Sequence, residues 1–426
     1  MPYYFKRVFA RLGGIMNKMF RLAAFVALSC FCTTTTLGAG FGLYEFSARG
    51  NAMGGAVLAG EAEPASLALN PALITDLKGT QLQLGVTEIT ASAKVNYNGE
   101  GQSPDRVWWT LPTFYYTQQL FEDWYFGLGA FPRFGLSGTY PDKNWAGSTD
   151  VYDVDVQSYS VQPTIAFQAT DRFSVAAGAE IMYFEFSEGK RIPLGPLGHN
   201  DLEVEGDSWG LGAILAMAYK ANDKVNLGAS FRTRVKQGLD GTSKFSNPMT
   251  IPGVGAFING SAHGDIMLPA QLALGISYRP IDDLLIEFNW TNIFWSSFDD
   301  LTISFEHMPG TGASGSSRQK KEWKDTYRMG LGAEYTLSNV VKLRGSYIFD
   351  KTPTNDDYMD VLVPVSNRHL FGTGIGLNLG KGFILDASYT FLIGEGMSGT
   401  NIENGASVRY GQAFSHMAGL SLRYIL

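Results

Sequence analysis

Apolar and polar residues alternate with a period of two along most of this 426-residue chain, from about residue 80 onward. In residues 271–279, for example, large apolar side chains alternate with small or polar ones. This period predicts β-strands that have one apolar and one polar face. Fourteen such segments can be counted, at residues 80–98, 107–119, 123–138, 151–169, 172–188, 203–219, 224–240, 265–279, 284–305, 322–336, 339–351, 367–380, 382–394 and 412–426.

The connections between these segments alternate between short and long. Tight turns follow the even-numbered segments (LFED, ATD, KAND, RPIDD, LSN and GK), and longer loops follow the odd-numbered ones, as at 241–264 and 306–321. Short periplasmic turns and long extracellular loops are typical of outer-membrane β-barrels. We therefore predict an all-β protein, a 14-stranded antiparallel transmembrane β-barrel over residues 79–426, with both termini in the periplasm.

Composition agrees with a barrel. Only 17% of the residues are charged, whereas Gly (50), Phe (28) and Tyr (20) are abundant; a soluble domain has about a quarter charged residues. The mean hydropathy of −0.04 is too low for a helical membrane protein. In lipid, a closed barrel can satisfy all of its backbone hydrogen bonds between strands.

Residues 1–38 have the pattern of a cleaved secretion signal. Lys18 and Arg21 precede the apolar stretch Leu22–Phe31, and small residues follow it. We expect cleavage near residue 38 or 39, and Met16 or Met19 is an alternative initiator. A membrane anchor is a competing interpretation, but this stretch is shorter than the roughly 20 residues that a spanning helix needs.

Both cysteines, Cys30 and Cys32, lie in this signal, so the mature chain would have no disulfide and no thiol chemistry. A lipoprotein signal ending at Cys30 is a further alternative, although Ala27 stands where Leu is usual. The signal has five basic and no acidic residues, and its removal would change the net charge from −7 to −12. Such an acidic chain argues against a nucleic-acid partner.

Residues 39–78 are predicted to form a hatch inside the barrel. The lumen of a 14-stranded barrel is too wide for its own side chains to fill, and this segment is too irregular for strands. Within it, Pro64 and Pro71 suit the first positions of two short helical turns, and Asn70 suits a cap for the second turn. The alternative is an arm that hangs in the periplasm.

Several motifs, in the same order, resemble the FadL family of outer-membrane transporters for long-chain fatty acids and aromatic hydrocarbons. The N-terminal AGFGLYEFSARGNAMGGAVLAG and the motif Asn70-Pro71-Ala72 resemble the family's hatch, and YFGLGAFPRFGLSGTY resembles its third strand. The segments LPAQLALGISYRP, NWTNIFWSSFDDLTI, EWKDTYRMGLGAEY, LRGSYIFDKTP and VPVSNRHLFGTGIGLNLG follow. The similarity covers essentially the whole mature chain.

The resemblance implies a monomer in the outer membrane of a Gram-negative bacterium, inserted by the barrel-assembly machinery and surrounded by lipid and lipopolysaccharide. It implies passive uptake of a long-chain fatty acid or another hydrophobic small molecule, with lumenal binding and release sideways at a kink in the third strand. A polar lumen, which we expect here, would disfavour an apolar solute, so exit into lipid is reasonable.

The expected lateral gate comprises Gly129, Pro132 and Gly135. Pro132 cannot donate to a strand ladder, and the glycines weaken the same strand. An ordinary bulge is the alternative, because prolines also occur in other predicted strands.

A carboxylate ligand would need a basic lumenal residue. Strand parity places six candidates on the inner face, with Trp323 and Tyr327 on the opposite, lipid-facing side: Arg232, Arg234, Lys324, Arg328, Arg344 and Arg368. The alternative for each is that it solvates the lumen or pairs with an acid. A cation without an acidic partner would be the anchor.

Two departures from the family favour a hydrocarbon substrate instead. The loop after the fifth strand is short, and Phe184 and Phe186 stand where a basic residue would help to bind a fatty acid. A general porin is a further alternative. A lipid-modifying enzyme is disfavoured because Ser415 and His416 are adjacent and would point to opposite faces of a strand. The five scattered histidines show no metal-ligand spacing, so we expect no metal, cofactor or catalytic site, with loop-bound calcium left as an alternative.

Overall fold

The computed structural model describes residues 40–105 and 108–426. The expected signal peptide and its cleavage site lie outside the described residues. Within these ranges no helix is long and apolar enough to cross a membrane.

Fourteen antiparallel strands in the described residues form a closed barrel, which confirms the predicted fold class. Strand β1 pairs with β2 on one side and with β14 on the other, and this closes the cylinder. The strands are β1 (Thr80–Ser92), β2 (Trp108–Gln119), β3 (Trp124–Phe131 and Gly135–Thr139), β4 (Asp153–Thr170), β5 (Phe173–Pro193), β6 (His199–Lys220), β7 (Val225–Arg232 and Val235–Phe245), β8 (Gly260–Leu268 and Gln271–Ile281), β9 (Leu284–Ile293 and Asp300–Phe305), β10 (Gly315–Lys320 and Thr326–Thr336), β11 (Val341–Asp350), β12 (Arg368–Gly380), β13 (Phe383–Gly394) and β14 (Ala413–Ile425).

The longer loops carry short elements of their own. Four loop strands form one small sheet: Val95–Tyr97, Glu100–Gln102, Met397–Thr400 and Ser407–Tyr410. Met249–Ile251 pairs with Gly255–Phe257 in a hairpin. Single 3₁₀ turns occur at Ala146–Thr149, Gly195–Leu197, Trp295–Ser297 and Asp356–Tyr358.

The two faces of the barrel exchange polarity along its axis. In the middle of β4, Val161 and Ile165 are exposed on the outer surface, whereas Ser160 and Gln162 are buried on the inner surface. Towards the extracellular end the pattern is reversed: Val154 and Val156 face inward and are buried, and Asp153 and Asp155 face outward. The expectation of a polar lumen therefore holds for only part of the barrel.

The hatch lies inside the barrel and contains three short helical segments. Helix α1 (Ala48–Ala52) begins at Ser47, whose hydroxyl accepts a hydrogen bond from the Gly50 amide. The 3₁₀ helices Pro64–Ala68 and Pro71–Asp76 match the two predicted helical turns, and the Asn70 side chain caps the second by accepting from the Ala72 amide.

The hatch fits closely against glycines of the barrel wall. A Cβ atom on Gly228 would lie 1.9 Å from the carbonyl oxygen of Leu58, and one on Gly330 would lie 2.4 Å from that of Gly54. Both distances are too short for non-bonded atoms. The wall therefore approaches the hatch backbone as closely as glycine permits.

Candidate ligand-binding lumen and wall opening

The ladder between β2 and β3 ends partway along the two strands. Their hydrogen-bonded register runs from Gln119–Tyr125 to Phe114–Ala130 and stops there within the described residues. Strand β2 nevertheless continues to Trp108, and β3 resumes at Gly135 and pairs with β4. Farther toward the extracellular end, the Asp105 amide donates to the Thr139 carbonyl over 2.9 Å. We call the unpaired stretch between the Phe114–Ala130 pair and this hydrogen bond the wall opening.

The expected gate residues surround the start of this opening. Gly129 lies near the end of the first β3 segment, Pro132 lies in the interruption, and Gly135 begins the second segment. A small pocket lies beside the opening. Trp109, Leu136, Tyr140, Val361 and Leu362 are among its lining residues.

The hatch supplies backbone partners at the interruption in β3. Leu43 N–H donates to the Arg133 carbonyl over 2.8 Å, and Gly135 N–H donates to the Phe41 carbonyl over 2.9 Å. The Ser158 hydroxyl accepts from the Phe134 amide and donates to the Phe134 carbonyl. The interruption is thus hydrogen-bonded to the first described residues of the hatch.

Buried apolar side chains pack together in the extracellular half of the lumen, and we call this cluster the apolar chamber. Its floor is an aromatic cluster of Phe41, Phe134, Trp295, Phe298 and Trp323, with ring centroids as close as 4.9 Å. Buried side chains that line its walls include Val154, Val156, Phe184, Phe186, Leu202, Val204, Val235, Leu239, Ile266, Leu268, Leu301 and Ile303. Side chains of this kind favour contact with apolar solutes over polar ones.

The expected position of Trp323 on the lipid-facing side was wrong. Trp323 is buried in the aromatic cluster because β10 is interrupted between Lys320 and Thr326, and strand alternation does not continue across an irregular segment. The same interruption turns Lys324 outward: its side chain is 66% exposed, and its nearest acid, Asp356, is 3.9 Å away. Its predicted inward orientation was therefore also wrong.

Arg234 is likewise exposed, so its predicted inward orientation was wrong. Strand β7 is interrupted after Arg232, and when it resumes Val235 points inward. Extrapolation of a two-residue period across this break assigned the wrong face.

Three of the inward arginines are paired with acids. Arg232 donates to Glu180 over 2.8 Å, and Arg344 contacts both Glu334 and Asp386. Arg368 forms an ion pair with Asp350.

Arg328 differs from these three. It is only 7% exposed, yet no carboxylate among the described residues lies within 4.0 Å of its guanidinium group. The guanidinium carbon instead lies 4.0 Å from the centroid of the hatch Tyr44 ring. Nearby, burial raises the pKa of the hatch carboxyl Glu45, and hydrogen bonding to the Tyr44 amide and the charges of Arg368 and Arg328 oppose this rise.

A family model described as "Outer membrane protein transport protein (OMPP1/FadL/TodX)" matches residues 29–419. The chain belongs to this family. It is an outer-membrane transport protein and not an enzyme.

Relatives of this FadL-family chain include the long-chain fatty acid transport protein of Escherichia coli O6:H1, 22% identical over 92% of this chain and 95% of that protein. The putative outer membrane protein NMB0088 of Neisseria meningitidis is 30% identical over 46% of this chain, and the match spans 44% of that protein. Among solved structures, a Pseudomonas aeruginosa FadL homologue aligns with a TM-score of 0.81 at 19% identity, covering 90% and 99% of the two chains. The Pseudomonas putida toluene transporter TodX aligns with a TM-score of 0.72 at 19% identity, covering 90% and 98%.

Sequence reasoning missed the acids that organise the lumen of this FadL-family barrel. Glu180 binds Arg133 at 2.9 Å as well as Arg232, and Ser160 donates to it. Glu287 accepts the amide hydrogen of Ala59 over 2.8 Å and also that of Leu58. The available signal was an acidic residue at an inward position in the middle of an otherwise apolar strand.

The periplasmic side of the hatch is held by a polar network. Glu334 is shared by Arg49 of the hatch, Arg344 and Lys342, with nitrogen–oxygen distances of 3.0, 2.7 and 3.2 Å. Lys342 also binds Glu61 of the hatch over 2.6 Å. A cavity whose lining includes Arg49, Glu61, Lys342 and Arg344 adjoins this network. The hatch is therefore tied by charge to strands β10 and β11.

Proposed function

We propose that this transporter takes up hydrophobic small molecules passively, binds them in the apolar chamber and releases them sideways through the wall opening into the membrane. The observation that carries the proposal is the position of the opening. It lies between the apolar chamber and the outer surface of the barrel, and the hatch closes the lumen below it. In the family, the E. coli relative is named for long-chain fatty acids and TodX for toluene.

The energetics favour the lateral route. Apolar surface gains about 25 cal/mol per Å² when it leaves water, and the chamber and the lipid both provide this gain. A route straight through the hatch would pass Glu334, Arg49 and Lys342, where an apolar solute would displace charged partners. The close contacts between the hatch and the wall glycines also oppose hatch displacement, which argues against a general porin.

For the substrate we propose a long-chain fatty acid whose carboxylate binds Arg328. A buried cation without an acidic partner is costly by several kcal/mol, and a ligand carboxylate would supply that partner. Arg232, Arg344 and Arg368 are weaker candidates because protein carboxylates already bind them.

An aromatic hydrocarbon is the second candidate, and the aromatic cluster at the chamber floor favours it. Edge-to-face contacts such as those between Trp295 and Trp323 suit insertion of another ring. A neutral ring has no need of Arg328.

Binding of oleate and of toluene to the purified protein distinguishes the two substrates. The variant Arg328→Gln should weaken oleate binding by about 1–3 kcal/mol, as expected for a hydrogen bond to a charged group, and leave toluene binding unchanged. Lys324→Gln is the matched control, because that lysine is exposed, and it should change neither. Unchanged oleate binding in Arg328→Gln would refute the carboxylate anchor and favour the hydrocarbon.

The lateral route is tested by filling the cavity beside the opening. Gly138 lines this cavity, and a Cβ atom there would make only ordinary contacts, at 3.9 Å. Gly138→Phe should reduce uptake by whole cells while equilibrium binding to the purified protein is retained. Gly345→Phe, at an exposed position of β11, is the control. Undiminished uptake in Gly138→Phe would exclude this route.

A further inference from the structure

The extracellular loop between β11 and β12 turns inward over the apolar chamber. Within residues 359–365 five apolar side chains are no more than 5% exposed: Met359, Val361, Leu362, Val363 and Val365. These side chains belong to the same buried cluster as the chamber walls. An extracellular loop ordinarily exposes polar residues to water, so this packing requires another explanation.

Charged groups hold this segment at its centre. Asp360 forms an ion pair with Lys321, which follows the first β10 segment and is only 1% exposed. The Asp360 carboxylate also accepts the Leu362 amide hydrogen over 2.9 Å. Asp150, which ends the 3₁₀ turn Ala146–Thr149, accepts the Val361 amide hydrogen over 2.9 Å.

Two tyrosines hold the backbone from other sides. The Tyr140 hydroxyl, just after β3, donates to the Val361 carbonyl over 3.2 Å. The Tyr410 hydroxyl, at the end of a loop strand, donates to the Asp360 carbonyl over 2.6 Å. Four separate elements therefore fix two consecutive residues of the loop.

We propose that Met359–Val365 is a lid that admits apolar solutes to the chamber selectively, and that Lys321, Asp150, Tyr140 and Tyr410 form its latch. The proposal rests on the proposed function for the identity of the solute. If the lid moves away and no ligand takes its place, both its apolar side chains and the chamber walls become exposed to water, which is unfavourable. An apolar ligand that takes its place restores the contacts of the chamber, whereas a polar solute does not. The lid thus makes opening depend on the chemistry of the solute.

The test measures exposure of the lid itself. In a background with Cys30 and Cys32 replaced by Ser, the single-cysteine variant Val363→Cys is treated on intact cells with a membrane-impermeant maleimide. Labelling should be at least tenfold slower than at Ile402→Cys, because Ile402 is 61% exposed whereas Val363 is 5% exposed. Adding oleate or toluene should accelerate labelling of Val363→Cys severalfold, and glucose should not.

A latch variant makes the test independent of any ligand. Tyr410→Phe, combined with Val363→Cys, should increase the labelling rate about tenfold, since one lid hydrogen bond is lost. Tyr389→Phe is the control, because its hydroxyl contacts His416 on the outer surface. Equal labelling of Val363→Cys and Ile402→Cys would overturn the lid, and so would a rate that responds neither to Tyr410→Phe nor to oleate and toluene. If the lateral route alone fails, the labelling results stay as stated, so the two failures are distinguishable.

Discussion

Substitution of one wall glycine should release the hatch without unfolding the barrel. In Gly228→Ala the new methyl group would lie 1.9 Å from the Leu58 carbonyl oxygen and 2.8 Å from Asn70 Nδ2. Asn70 Nδ2 donates to that carbonyl over 2.6 Å, and the neighbouring Leu58 and Ala59 amides donate to Glu287. The hatch backbone must therefore move at the point where it is most firmly bound.

The expected magnitude follows from two effects. Overpacking by a methyl group in a close contact costs about 1–3 kcal/mol. Loss of one or two of the adjacent hydrogen bonds adds about 0.5–1.5 kcal/mol each. Together they weaken docking of the hatch by about 2–5 kcal/mol. At 1.4 kcal/mol for each factor of ten, the undocked population rises roughly 30-fold to several thousand-fold.

Two assays detect this change. Hydrogen exchange of the hatch amides in 48–76 should accelerate by the same factor when docking and undocking are fast relative to chemical exchange, while exchange in the strands stays unchanged. Planar bilayers should show leak currents that the unsubstituted protein lacks. Gly345→Ala is the matched control, because the nearest heavy atom to its new methyl group is 4.0 Å away. Exchange and conductance equal to those of the unsubstituted protein would refute the conclusion that close wall contacts seat the hatch.

Three further predictions concern single carboxylates. Glu287→Ala should speed exchange of the Leu58 and Ala59 amides about tenfold, because both amides lose their side-chain acceptor; unchanged rates would show that Glu287 is not an anchor. Glu334→Gln leaves Arg49 and Arg344 without their shared acid and should lower the free energy of unfolding, measured in urea, by about 3–5 kcal/mol; a loss below 1 kcal/mol would contradict this. Burial, followed by the charge of Asp360, raises the pKa of Asp150 to about 6. The closed lid therefore binds a proton that the open lid releases, and closure weakens as the pH rises through about 6. Normalised to Ile402→Cys, labelling of Val363→Cys should be about tenfold slower at pH 5 than at pH 7.5, and Asp150→Asn should remove that difference.

Six other charged or titratable groups face Asp150. They are Asp360, Lys321, Glu188, Tyr97, Tyr140 and Tyr410. Burial raises the pKa of each of these tyrosines, that of Tyr97 to about 12, so they stay neutral in the range tested. A pH dependence that persisted in Asp150→Asn would show that Asp150 is not the group responsible.

Strand number and connectivity could be predicted from the sequence because each strand alternates for ten or more residues and is bounded by recognisable turns. The errors arose where strands are interrupted. Arg234, Trp323 and Lys324 all lie in short irregular segments between two halves of a strand, where the period of two is lost. A shift of one residue in the assumed register assigns every following side chain of that strand to the wrong face of the sheet.

The candidate site was less predictable for a different reason. Six basic residues satisfied the same parity rule. What separates Arg328 from Arg232, Arg344 and Arg368 is that no carboxylate among the described residues lies within 4.0 Å of it, and this depends on packing between strands. The lid was not predicted either, because its apolar residues lie in a loop that shows no strand or helix period. Long-range contacts of this kind leave no local pattern in the chain.

Pairing of strands, and not proline itself, distinguishes the wall opening from the breaks in β7, β8 and β9. Pro112 and Pro163 sit within continuous registers, opposite Val86 and Leu128. At the breaks in β7, β8 and β9, both segments keep partners on both neighbouring strands. In the described part of the chain, strands β2 and β3 instead both continue beyond Phe114 and Ala130 without a shared register, and the hatch supplies a backbone partner at Arg133. We therefore expect the wall opening between β2 and β3 to persist when Pro132 is replaced, as long as the hatch stays bound to β3. Removing the hatch contact at Leu43 should alter the opening more than replacing Pro132 does.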